Sequence, residues 1–153
     1  MTKSTKLLEL LSEAKRIAKE YRQLTGRPLG ITGEIAEYEA GRLLGLELAP
    51  VRTAGYDAIR RTRAGDERLQ IKGRCILPNA KPGQRIGRID PSKEWHAVLL
   101  VLLNEEFDAT AIYEARRAEV LRALKAPGSR ARNERGALGV AKFISLGRKL
   151  WPR

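Results

Sequence analysis

A carboxylate, an amide and an ammonium fall within "GYDAIRRTRAGDERLQIKGR", residues 55–74, as Asp57, Gln70 and Lys72. Side chains of these types suit a hard cation such as Mg²⁺, with Mn²⁺ as the alternative ion. Such a cation takes oxygen ligands, and Asp57, the Gln70 side-chain oxygen and the Ile71 backbone carbonyl supply three of them. A bound cation acidifies its water and offsets charge on a phosphate. The neighbouring Lys72 ammonium is then suited to orienting that water or to stabilising negative charge in the transition state. With Glu34 brought to the same place by a helix, the set reads as equipment for hydrolysing a phosphodiester.

These residues need elements that bring them together. Gln70 and Lys72 are two apart, so on a strand they share one face while Ile71 points into the opposite layer. The pattern predicts strands over Tyr56–Arg63 and Leu69–Arg74, joined by the turn signal "AGDE". That hairpin folds the Asp57 strand back beside Gln70 and Lys72. Glu34 belongs to a helix expected from Thr32, whose hydroxyl would cap it, to Gly45. Ala36, Ala40 and Gly41 on that helix are small enough for another element to approach closely. Glu34 and Glu37 project on nearly one face, with Glu37 read as solvated or as support for the site.

An earlier helix is expected where Leu7, Leu10, Leu11, Ala14, Ile17, Ala18, Tyr21 and Leu24 keep i, i+3, i+4, i+7 spacing, ended by Gly26 and Pro28. Its stripe reads as core packing, with a dimer interface as the alternative. Further strands are expected over Leu46–Arg52, Ala97–Leu103 (buried on both faces) and Ala109–Tyr113, and a helix over Arg116–Lys125 closed by Pro127 and Gly128. Residues 75–95 read as a long loop, residues 129–136 as a polar, basic loop, and "VAKFISL" as a last strand or turn of helix. The order implies one α/β or α+β domain over 1–153, a mixed sheet flanked by helices with an extra N-terminal helix. Within it, 1–26 is the N-terminal helix, 31–114 the core and 116–153 a basic region.

Composition narrows the partner. The 153 residues carry 30 Lys and Arg against 18 Asp and Glu, a net charge of +12 and a pI near 10.3. From Arg116 to Arg153, eleven basic residues stand against Glu119 and Glu134, a net of +9. Clustered arginine suits phosphate, and the field favours a polyanion, here nucleic acid and most simply double-stranded DNA. The bland reading is a solvated basic surface. Without a long apolar run or a signal-peptide layout, and with only Cys75, the chain is expected to be soluble, cytoplasmic and without a membrane partner.

"GE" at 33–34, "GYD" at 55–57 and "QIK" at 70–72 resemble the motif of the PD-(D/E)XK, restriction-endonuclease-like nuclease superfamily. That family carries a Glu on the first core helix, an Asp on the second strand and (D/E)-x-K on the third, with a comparable separation between the last two. The resemblance covers roughly residues 31–103. It implies a nuclease with Glu34, Asp57, Gln70 and Lys72 catalytic, the metal held by Asp57, Gln70, the Ile71 carbonyl and Glu34, and pairing as a homodimer. Gln70 stands where an acid is usual, as in the Mrr-like branch. A Pro/Gly-rich loop also replaces the helix usual between the third and fourth core strands. Lys81, Arg85 and Arg88 on that loop, Arg74 beside the motif, and Arg130, Arg132 and Arg135 are the candidate nucleic-acid contacts.

Each piece also has a plain structural reading. Glu34 suits a helix start, Asp57 beside Gly55 suits a turn, and Gln70 and Lys72 suit a half-exposed strand. His96 reads as structural, and Trp95 and Trp151 as packing anchors. The rival functions are a nuclease fold that has lost catalysis and binds DNA or RNA, and a basic RNA-binding protein with an accidental motif.

Overall fold

The computed structural model describes residues 2–126 and 137–153. Among them are four helices and one six-stranded sheet: α1 (Lys3–Thr25), α2 (Thr32–Leu44), β1 (Glu47–Leu48), β2 (Ala58–Thr62), β3 (Gly65–Cys75), β4 (Ala97–Leu103), β5 (Ala109–Arg116), α3 (Arg117–Lys125), α4 (Val140–Leu146) and β6 (Arg148–Trp151). The strands lie side by side in chain order. Only β3 and β4 are parallel, with Leu69 opposite Ala97 and Cys75 opposite Leu103; the other neighbours are antiparallel. This is an α+β fold with a central mixed sheet flanked by helices.

The apolar run of β4 explains the layering. Successive side chains leave a strand on opposite faces. Ala97, Leu99, Val101 and Leu103 therefore join Leu69, Ile71, Ile35, Ala36 and Ala40 in one core, beneath α2. Val98 and Leu100 join Ile86, Ile89, Trp95, Val120, Leu138 and Phe143 in a second core, beneath α3, α4 and the long loop. Ile71 thus faces α2, and Gln70 and Lys72 lie on the loop side. The closest helix-to-sheet approach is at Gly73. A Cβ there would sit 2.5 Å from the Ala36 Cβ and 3.2 Å from the Thr32 carbonyl oxygen, so the missing side chain lets α2 lie directly on β3.

Several expectations change in detail. Only Glu47 and Leu48 pair as β1, because Ala49 already bonds Asp57 singly and Pro50 cannot donate to a ladder. Strand β3 begins at Gly65, four residues earlier than expected, because it completes a tight hairpin with Thr62 opposite Gly65. Ile31, not Thr32, precedes α2, with no side-chain cap; Thr32 is already helical. "VAKFISL" is helical, and β6 follows it at the sheet edge.

Two segments depart further. The second half of the long loop is pinned: Ile86 N–H bonds the Leu138 carbonyl at 2.9 Å and Val140 N–H bonds that of Gln84 at 2.9 Å. Arg117 donates to the carbonyls of Pro91, Lys93 and Trp95. Helix α1, by contrast, buries only Ala18. It is held through its second half, where Lys15 pairs with Glu39 and Asp108, Lys19 with Glu106, and the Arg22 guanidinium stacks over Phe107. Most of its apolar stripe faces outward, which corrects the reading of that stripe as core packing. No described helix is long and apolar enough to cross a membrane.

Candidate active site

Where β2 stops, Asp57 takes over its hydrogen bonding. Its N–H donates to the Leu69 carbonyl at 2.8 Å, and its own carbonyl accepts from Ala49 at 2.9 Å. The β2–β3 ladder ends with Ala58 opposite Leu69, so the next outward-facing N–H on β3, that of Ile71, has no strand beside it. The Asp57 carboxylate accepts that N–H through Oδ2 at 2.7 Å. The Ile71 carbonyl leaves the strand on the same side. The chain then veers away at Gly55, whose φ of 91° lies in the region open to glycine. A side chain there would also crowd Lys93 Cβ at 3.1 Å.

The Gly55 turn orients Gln70. Its Nε2 donates to the Gly55 carbonyl at 3.0 Å. A carbonyl demands the amide NH₂, so the orientation of Gln70 is set and Oε1 must point the other way. Gln70 is only 7% exposed, and Oε1 is buried with no hydrogen-bond partner. Leaving a buried acceptor unmatched costs about 1–3 kcal/mol. An oxygen ligand to a cation is one purpose that would repay such an arrangement.

Asp57, Gln70 and Lys72 line one hollow of about 260 Å³, with Arg88, Asp90 and Lys93 at its loop wall. Lys72 runs along Gly87, where a Cβ would lie 3.9 Å from Nζ. Burial pushes the Lys72 ammonium below the usual lysine range, against the pull of Asp57 and Glu37 and with the repulsion of Arg74. None of the ion pairs among the described residues uses it. Glu37 is pushed the other way: burial first, then the charges of Asp57 and Glu34, raise its carboxyl above the ordinary value while Lys72 opposes them. A desolvated ammonium beside a carboxyl raised by burial is the electrostatic pattern of functional sites.

The expected residues separate into groups. Asp57, Gln70, Ile71 and Lys72 come together. Glu34 sits exposed in the first turn of α2, and the helix carboxylate that interacts with Lys72 is Glu37. Arg74 and Arg85 tie the loop down: Arg74 Nε donates to the Arg85 carbonyl at 2.6 Å, and Arg85 Nη1 to that of Ala137 at 2.5 Å. Arg88 is exposed at the hollow, and Lys81 is exposed at some distance along the loop. Arg130, Arg132 and Arg135 lie outside the described residues. His96 Nδ1 accepts the Arg68 N–H at 2.8 Å, and Trp95 is buried beneath Arg117, both structural as expected.

Asp90 escaped sequence reasoning, and Glu37 was read only as solvated or as support for the site. Asp90 reaches the hollow from the loop, its carboxyl held low by bonds from the Ser92 hydroxyl and N–H; the turn signal "DPS" marks it only as an Asx-type turn. Glu37 shares a helical face with Glu34, which was the available signal. Among the described residues no group of three or more His, Cys, Asp and Glu side chains has metal-site spacing; the candidate ligands include an amide and a backbone carbonyl instead. No family model matches the chain, and no curated protein matches it significantly.

Proposed function

We propose that this hollow is the active site of a divalent-cation-dependent nuclease of the PD-(D/E)XK type, cutting a phosphodiester, most simply in DNA. The observation that carries the reading is the buried, unpartnered Gln70 Oε1 beside the Asp57 carboxylate and a desolvated Lys72. Asp57 uses Oδ2 on the Ile71 N–H and keeps Oδ1 for a cation. Gln70 Oε1 and the Ile71 carbonyl complete three oxygen donors, a set that fits Mg²⁺ or Mn²⁺. The bound ion would supply a more acidic water and a counter-charge for the phosphate.

The chain's own groups do the rest. Lys72, lowered in pKa yet near two carboxylates, is suited to holding the attacking water or the charge developing on the phosphate. Glu37 is suited to accepting a proton from that water, because its raised pKa brings it closer to the working range of a general base. Exposed Arg88 and Lys93 stand at the mouth, where phosphate would enter. The net charge of +12 favours a polyanionic substrate. The second reading, a nuclease fold that only binds DNA or RNA, is favoured by one residue: Gln70 is neutral where an acid would hold a cation more tightly.

Supercoiled plasmid and single-stranded DNA incubated with Mg²⁺ or Mn²⁺ separate the two. Metal-dependent nicking by the wild type, lost in Asp57→Ala and Lys72→Ala, is the expected result. Binding without nicking selects the second reading, and nicking retained in both variants removes this hollow as the active site.

A further inference from the structure

Helix α1 presents an apolar seam that its own fold leaves uncovered. Leu7, Leu10, Ala14, Ile17, Tyr21 and Leu24 alternate spacings of three and four, a heptad pattern running the length of the helix. Leu7 is 43% exposed, Leu10 55%, Ile17 48% and Leu24 81%. Ala18, Lys15 and Arg22 lie roughly 100° further round the helix and face the domain. The fold therefore covers one edge of the apolar stripe, at Ala18, and leaves the rest of it uncovered.

The first half of α1 makes the need for cover sharper. Every residue from Thr2 to Leu10 is exposed, including Leu7, Leu8 and Leu10. The helix is nevertheless capped at its start, where the Thr2 hydroxyl accepts the Thr5 N–H at 3.1 Å. A helical arm of that length is marginal in water unless its apolar face packs against something.

We propose that α1 is a self-association element whose seam pairs, antiparallel and about a two-fold axis, with α1 of a second copy. In that pairing Leu7 lies beside the partner's Leu24, Leu10 beside the partner's Tyr21 and Ala14 beside the partner's Ile17. The relation is the same read from either copy, as an isologous interface requires. Each unanchored first half then rests on the anchored second half of the other, and the helix dipoles oppose. The 23 residues of α1 give a seam about 35 Å long. Its exposed side chains remove on the order of 1,000 Å² from water when two copies meet, the lower edge of specific interfaces. An anionic membrane or nucleic acid fits this face less well, because Glu9, Glu13 and Glu20 flank the seam, paired with Lys6 and Arg16.

The pairing is independent of the nuclease reading and is tested by sedimentation velocity on the full chain across a micromolar concentration series. A monomer–dimer equilibrium is expected. Leu10→Lys and Ile17→Lys, both at exposed positions, should shift the chain to monomer at every concentration with unchanged circular dichroism. Leu8→Ser, off the seam, should leave the dimer. A wild-type chain that stays monomeric, or a dimer that survives both lysine substitutions, overturns the proposal. With Cys75→Ser as background, Leu7→Cys combined with Leu24→Cys should give disulfide-linked dimers and Leu7→Cys alone should not. Ready cross-linking by Leu7→Cys alone would mean parallel helices and overturn the two-fold pairing.

Discussion

The same hairpin carries two charged clusters that are built in opposite ways. At one end of β2 and β3, Arg60 bonds Glu67 and Glu114, Arg116 bonds the same two carboxylates, and Arg148 lies 4.0 Å from Glu114. Every one of these charges has an opposite partner. Glu114 is 4% exposed, and Glu67 is held down to about 2, chiefly by the Arg116 guanidinium. At the other end, around Asp57, the Gln70 oxygen is unmatched, Lys72 is desolvated with no ion pair among the described residues, and Glu37 is raised by burial and then by its carboxylate neighbours. Charged groups arranged for stability neutralise each other. Groups left unmatched in a hollow point to a ligand that is to complete them.

The contrast predicts opposite outcomes from similar substitutions. Lys72→Met should reduce metal-dependent cutting of plasmid by about 100-fold or more, the scale of losing a preorganised charge in an active site. The same change should leave the melting temperature unchanged or raise it. Loss of fold together with loss of cutting would place Lys72 among the stabilising charges and erase the contrast. Glu114→Ala should do the reverse. It leaves half-buried Arg60 with Glu67 alone and should cost about 1–3 kcal/mol in urea unfolding, with cutting by the folded fraction intact.

A smaller effect is expected at Gln70. Gln70→Leu removes the orphaned oxygen but also the bond to the Gly55 carbonyl, so stability should change by no more than about 1 kcal/mol, while calorimetric Mn²⁺ binding weakens at least tenfold. Unchanged Mn²⁺ affinity would show that Oε1 is not a ligand.

The two ends should also titrate differently. The folded pKa of Glu67 is depressed, so its contribution is complete above its ordinary value of 4.5 and is lost as pH falls toward about 2. Glu67→Gln should flatten the acid limb of a stability–pH curve. Lys72 has a folded pKa below its ordinary 10.5. Its charged form is therefore a cost at neutral pH, and that cost fades as pH rises toward 10.5. The stability difference between Lys72→Met and wild type should narrow over that alkaline window.

Local pattern alone determined much of this protein. The periodicity of α1 and α2, their ends at Gly26 and Gly45, the β2–β3 hairpin and the doubly buried β4 all follow from neighbours within a few residues. The same alternation put Gln70 and Lys72 on one face, and the hairpin brought Asp57 beside them. What depends on distant contacts was not legible. Glu37 displaces Glu34 as the carboxylate near Lys72 because α2 settles onto β3 at Gly73, a matter of how two elements dock. Arg74 and Arg85 became loop struts because carbonyls far along the chain were within reach. Periodicity likewise marks an apolar stripe on α1 without saying which side the domain covers, and only the packing around Ala18 decided that most of it faces out. Spacing along the chain is a local property, and burial is a property of the whole fold.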